Sequence, residues 1–141
     1  MPLEQGQTLS FRSDIVQGGQ NLSSNTLKMA LYTGDATLGP TTTVYTTTNE
    51  VVGTGYTAGG RVITGVTIAT DANTNTVYVN FNNVSWSGAN FTARGALIYN
   101  STQSNKSIAV LDFGADKLFT AANNTVTMPV NTASTALLRF V

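Results

Sequence analysis

Two neighbouring runs constrain this chain more than any other feature. Ala93 to Asn100 reads Ala-Arg-Gly-Ala-Leu-Ile-Tyr-Asn, and Ser107 to Phe113 reads Ser-Ile-Ala-Val-Leu-Asp-Phe. At the two-residue period of a strand, Leu97 and Tyr99 fall on one face of the first run, Ala96 and Ile98 on the other. A strand apolar on both faces has no solvent side, so both runs belong in the middle of a sheet, covered above and below. The polar stretch Asn100 to Asn105 between them suits a turn. The pair therefore predicts a hairpin, with a loop longer than the usual hairpin connection.

Other segments carry the same period. Thr26 to Thr33 sets Leu27, Met29 and Leu31 on one face, with Lys28, Ala30 and Tyr32 on the other. Thr76 to Phe81 alternates Val77, Val79 and Phe81 against Thr76, Tyr78 and Asn80. Arg61 to Thr70 alternates loosely, and Gly65 marks a bulge or bend. Thr125 to Val130 and Thr135 to Phe140 add two further strands, the first suited to an edge because Pro129 lacks an N–H. Thr41 to Glu50 stays open between extended chain and one helical turn. About seven or eight short strands describe an all-β, single-domain antiparallel β-sandwich or jelly-roll-like fold with at most one short N-terminal helix.

That helix is expected to be capped by Thr8 or Ser10 and to run to about Gln17, with Gly18-Gly19 stopping it. Residues 1–9 are expected to be an N-terminal arm, loose over 1–7, and 10–141 a single β domain. A chain of 141 residues can bury a sizeable core without disulfides. Charged residues make up 10% of it, with seven basic against seven acidic, whereas an ordinary soluble domain carries roughly 25%. A surface with so little electrostatic repulsion favours assembly.

Several function classes drop out on residue type. Cysteine and histidine are absent, which removes thiol nucleophiles, iron–sulfur clusters, the usual zinc sites and a base tuned near neutrality. No leader-like N-terminus is present, and no apolar run approaches the ~18 residues of a membrane helix. The scattered, balanced basic residues lack the electrostatic footprint of a nucleic-acid binder. Six Asn-X-Ser/Thr sequons, at Asn21, Asn83, Asn90, Asn100, Asn105 and Asn123, are what chance provides in a chain rich in Asn, Ser and Thr. Asp112 and Asp116 are the nearest approach to a carboxylate pair, but Gly114 between them reads as a turn. Asp71 to Asn75 is a turn with one carboxylate, a weak calcium site. The expected lists of catalytic, cofactor-binding and metal-binding residues are therefore empty.

The run Val44 to Gly60 is the most unusual stretch. It ends Gly53-Thr54-Gly55-Tyr56-Thr57-Ala58-Gly59-Gly60, which superficially resembles a phosphate loop but lacks the Gly-Lys-Ser/Thr ending and a following helix. It reads as a packed connection pinned by Tyr45, Val51, Val52 and Tyr56. Glu50 and Arg94 are the charges most embedded in apolar or glycine-rich surroundings, so they read either as bonded, to each other or to Asp112, or as two exposed side chains at strand ends. Trp86, the single tryptophan, reads first as a core plug and second, with Tyr56, as a sugar-stacking ring.

Several blocks also resemble a known family. They are Leu27-Lys28-Met29-Ala30-Leu31-Tyr32-Thr33, Tyr45 to Val51 running into the glycine stretch, Phe91-Thr92-Ala93-Arg94-Gly95-Ala96-Leu97-Ile98-Tyr99-Asn100, and Ala109 to Lys117. In this order they resemble small virion structural proteins of tailed bacteriophages, marine and cyanobacterial podovirus-like ones among them. The likeness covers residues 10 to 140 and is distinctive only jointly; residues 1–9 depart from it. It implies localisation in the virion and no enzymatic residues. The expected role is a capsid decoration (cement) protein, a homo-oligomer bound to other virion proteins. The alternative is a tail adaptor, a fibre-holding protein or a receptor- or glycan-binding module of the tail. Neither role requires a cofactor, nucleic acid or a membrane.

Overall fold

The computed structural model describes residues 3–129 and 132–140. In chain order the elements are β1 (Gly6–Gln7), α1 (Leu9–Gln17), β2 (Leu27–Tyr32), β3 (Arg61–Val62), β4 (Thr67–Asp71), β5 (Thr76–Asn80), β6 (Val84–Ser85), β7 (Phe91–Asn100), β8 (Lys106–Phe119), β9 (Thr125–Val126) and β10 (Arg139–Phe140). They form three antiparallel sheets, ordered β1-β8-β7-β2-β3, β10-β5-β4 and β6-β9. The chain is an all-β, sandwich-like domain with one short N-terminal helix.

The doubly apolar runs pair as the predicted hairpin and lie inside the five-stranded sheet. Ser104 and Asn105 turn the chain with positive φ of 55° and 59°, a conformation that Asn tolerates through its short polar side chain. One face of this sheet presents Leu27, Met29, Leu31, Ile98, Ala109 and Leu111 to the main core. Val79, Phe81, Val84, Trp86, Val126 and Leu138, from the smaller sheets and their flanks, close that core from the other side. The opposite face presents Ala30, Tyr32, Leu97, Tyr99 and Val110, and loop and N-terminal residues cover it: Leu3, Ala36, Leu38 and, partly, Tyr45.

Two irregularities in the β7–β8 ladder set which side chains reach each face. Ile98 pairs with Ala109 and Tyr99 with Ser107, leaving Ile108 as the extra residue of a bulge. Ile108 and Ala109 consequently both belong to the main core, where strict alternation would part them. Further on, Ala93 pairs with Lys117 and Gly95 with Asp112. Phe113 to Asp116 therefore bulge out opposite Arg94, with Gly114 at φ 80° and its N–H donating to Asp112 Oδ1 at 2.9 Å. The turn expected here exists, but it interrupts a strand and does not end one.

The helix starts and stops where capping chemistry says. Thr8 accepts the Phe11 N–H at 3.2 Å, and Gly18 closes the end at φ 75°. Phe11 is buried, while Leu9 and Val16 are exposed.

The N-terminal arm is a correction. Leu3 is 1% exposed and bridges Leu38, Glu4 N–H donates to the Leu38 carbonyl at 2.9 Å, and Gly6 and Gln7 pair with Val110 and Ala109. Residues 3–8 thus belong to the β body, because the far face of the sheet needs a cover and the β8 edge needs a partner. Met1 and Pro2 of that arm lie outside the described residues.

Smaller differences follow from edges and turns. Arg61 to Thr70 divides into β3 and β4 around Gly65, at φ 67°. Thr41 to Glu50 is extended, with bridges Val44–Lys106 and Tyr32–Glu50 and a turn at Asn49, φ 61°. Only Thr125–Val126 and Arg139–Phe140 of the last two expected strands are paired; Val130 lies outside the described residues. Val77 is 39% exposed although it shares a face with Val79, since it lines an open groove at the end of α1.

Candidate functional site

The glycine-rich stretch packs along β2 where β3 stops. β3 pairs only with Lys28 and Met29, so the edge of β2 is open at Leu31 and Tyr32. Val51 N–H donates to the Leu31 carbonyl at 3.0 Å and Thr33 N–H to the Asn49 carbonyl at 3.0 Å. Tyr56 supplies the remaining acceptor, its hydroxyl oxygen taking the Leu31 N–H at 2.9 Å. A side chain here completes a sheet edge that would otherwise bury an unpaired donor.

Glu50 sits at the centre of this edge, 7% exposed. Its Oε1 accepts the Tyr45 hydroxyl at 2.6 Å. Its Oε2 accepts the Gly59 N–H at 2.8 Å and a short hydrogen bond from the Tyr56 hydroxyl. The ion pair of Glu50 with Arg94 does not form: among the described residues no Lys or Arg pairs with Glu50. Arg94 Nε lies 3.5 Å from Asp112 Oδ1 instead, the other bonded arrangement. Three neutral donors hold the buried charge, which suffices because hydrogen bonds to a carboxylate are stronger than neutral ones.

The carboxylate ties together aromatics from both faces of the sheet. Tyr45 stacks on Tyr99 with centroids 4.7 Å apart in the far-face cluster. Tyr56 meets Phe91 edge-on at 5.6 Å and Trp86 at 6.4 Å in the main core. Tyr99 hydroxyl donates to the Gly59 carbonyl at 2.7 Å and Tyr32 hydroxyl to the Thr46 carbonyl at 2.6 Å. Burial, and then the nearby Glu50 charge, push the Tyr99 phenol up to about 12. The phenols of Tyr32, Tyr45 and Tyr56 are also raised, first by burial and then by Glu50. All four are neutral donors at physiological pH.

Two glycines make the close approach possible. At Gly60, φ 79°, a Cβ would lie 1.7 Å from the Met29 carbonyl oxygen; at Gly55, φ 85°, it would lie 2.5 Å from the Gly88 carbonyl oxygen. No residue with a side chain fits either position without moving the facing backbone, β2 at Gly60 and the Gly88 turn at Gly55.

The remaining sequence candidates separate. Trp86 is 1% exposed, edge-on to Phe119 at 5.9 Å. Its ring face is therefore closed to a sugar, and the core-plug reading holds. Asp112 is engaged by Arg94 and the Gly114 N–H, while Asp116 is exposed in the bulge. Asp71 Oδ1 accepts the Asn73 N–H at 2.9 Å, a turn contact within the chain. Among the described residues no group of three or more acidic side chains is placed to hold a metal, and no helix is long and apolar enough to cross a membrane. Asn100 is buried and donates to Gln20 and Asn25, so that sequon is closed.

Three concavities were not foreseen, one of them a pocket of about 340 Å³ at Asp112 and Lys117. A groove of about 340 Å³ lies between the end of α1 and the small sheet, walled by Ile15, Leu22, Ile68, Val77, Val79 and Phe140. A cleft of about 430 Å³ opens beside the glycine stretch, bordered by Thr57, Arg61, Val62, Thr64 and Trp86. The signal for the groove was present in Ile68 and Val77, which alternate on paired strands. The cleft had none: Gly55 to Thr64 supply all of its lining but Trp86, which only the fold brings beside them.

No family model matches this chain, and no curated protein or solved structure matches it either.

Proposed function

We propose that the chain is a structural subunit of a tailed-bacteriophage particle, a decoration protein bound to the capsid shell and to copies of itself. The observation that supports this most is the apolar groove beside α1, with Ile68 48% and Val77 39% exposed at its rim. Exposed apolar surface of this kind marks a protein contact, and the chain's zero formal charge opposes none. The densely hydrogen-bonded edge built on Glu50 suits a subunit that bears load. The phage context itself rests on the resemblance of residues 10 to 140.

Copy number tests the reading. Densitometry of purified particles is expected to show on the order of hundreds of copies, in keeping with a symmetric shell. A count near a dozen would instead place the chain in the tail or neck. The double variant Ile68→Lys, Val77→Lys is expected to fold and to be lost from particles; full retention would remove the groove from the contact.

A further inference from the structure

We infer that the cleft beside the glycine stretch binds an acidic sugar, a carboxylated pyranose. This stands apart from the particle reading, since it uses a different surface and different residues. The starting observation is the Trp86 indole N–H. It is buried, donor-only, and without an acceptor among the described residues. Buried donors are almost always paired, so an orphan in a fully packed side chain calls for a partner outside the chain. Trp86 borders this cleft and neither the groove beside α1 nor the pocket at Asp112 and Lys117.

The rest of the wall is rich in donors too. Arg61 is exposed and forms no ion pair among the described residues; its planar fork suits a carboxylate. Thr64 Oγ accepts the Asn82 amide at 3.2 Å, which leaves its own proton to give. Thr57 offers a hydroxyl with no partner among the described residues. Ile63 N–H donates to the Leu27 carbonyl, so strand alternation turns the Val62 N–H away from β2, along the open sheet edge. No carboxylate borders the cleft.

These groups specify a ligand. It must accept hydrogen bonds, carry negative charge for Arg61, and offer hydroxyls to the two threonines. It must also present a C–H face to the Val62 side chain, 53% exposed. A carboxylated pyranose meets all four conditions, and about 430 Å³ lies within the range of small-ligand pockets. Recognition would run through the Trp86 N–H and the glycine backbone, since the indole face is covered by the core.

The test is a titration of the full chain, labelled with ¹⁵N, against glucuronic acid, galacturonic acid, glucose and inorganic phosphate in parallel. The acidic sugars are expected to shift the Trp86 indole resonance and the amides of Thr57, Arg61 and Val62, saturating with Kd in the ~mM range. Arg61→Gln, at an exposed edge, is expected to weaken binding about tenfold, while Arg12→Gln on the helix leaves it unchanged. Trp86→Phe, if its amide dispersion is retained, abolishes the response. Equal shifts from glucose, or from phosphate alone, overturn the assignment to an acidic sugar. An indole resonance that ignores every ligand also overturns it and assigns the N–H to a trapped water.

Discussion

The two faces of the five-stranded sheet are buried by different means. The main-core face meets other strands and Phe11 of α1, and its contacts are aliphatic and aromatic, with the Tyr56 phenol packed at its margin. The far face meets loop and terminus: Leu3, Ala36 and Leu38 lie over Ala30, Leu97 and Val110, and the remaining space is filled by Tyr32, Tyr45 and Tyr99. A strand partner satisfies its own backbone through the ladder, so the covering layer can be apolar. A loop has no ladder, and its carbonyls must find donors within the layer they cover. Tyrosine answers both needs, with a ring to bury and a hydroxyl to donate. Glu50, at the edge between the faces, is what fastens the loop to each.

Breaking the seam should have the largest effect. Gly60→Ala places a methyl on the Met29 carbonyl and should cost about 4 kcal/mol or more; urea denaturation would show an unfolded or molten chain, and a near-native midpoint would refute the close approach. Trp86→Ala removes the largest main-core side chain and should cost about 3–5 kcal/mol. Glu50→Ala orphans two half-buried hydroxyls and one buried N–H and should cost about 3 kcal/mol. Tyr45→Phe and Tyr56→Phe should each cost less, and neither should be additive with Glu50→Ala. Additive losses would mean that the carboxylate does not join the faces.

Alkaline pH sharpens the comparison without mutation. The phenols around Glu50 have folded pKa values raised above the unfolded value of about 10, Tyr99 to about 12. Their contribution is complete below the unfolded pKa. It declines as pH climbs from there toward the folded values, because the unfolded state releases its protons first. Melting temperature should therefore drop steeply above pH ~10, and the drop should shrink when Glu50 is replaced by Ala. The smallest effect concerns Arg94 and Asp112, a pair at the bulge and partly solvated. A double-mutant cycle should give a coupling of about 0.5 kcal/mol, and Arg94→Ala should be additive with Glu50→Ala.

The legibility of this chain in its sequence follows the same division. Leu27, Met29, Leu31, Val79 and Phe81 were placed correctly because period-2 patterning reports a face buried against another strand. The Thr8 and Gly18 caps were legible because capping is local chemistry. Residues 3–8 were not: Leu3 gains its partner Leu38 through a contact whose only local signal is one leucine. That Ile108 and Ala109 both face the main core was not legible, because strict alternation would part them and a bulge is set by the partner strand. Arg94 offered two acidic partners of equal promise on paper, and the register of β7 on β8 chose Asp112. The orphan indole N–H and the cleft it borders were invisible, since the sequence carries no account of which donors go unpaired.

By itself, then, the sequence determined the β class, the central hairpin, the helix ends and the absence of thiol and imidazole chemistry, since each depends on residue type or on short-range periodicity. The tertiary structure decided what covers the far face, which partner each charge takes and where surface is left open. Those outcomes turn on residues tens of positions apart meeting at one edge. Glu50 needed Tyr45, Tyr56 and Gly59 to arrive together before a carboxylate in a glycine-rich loop became the fastening of the fold.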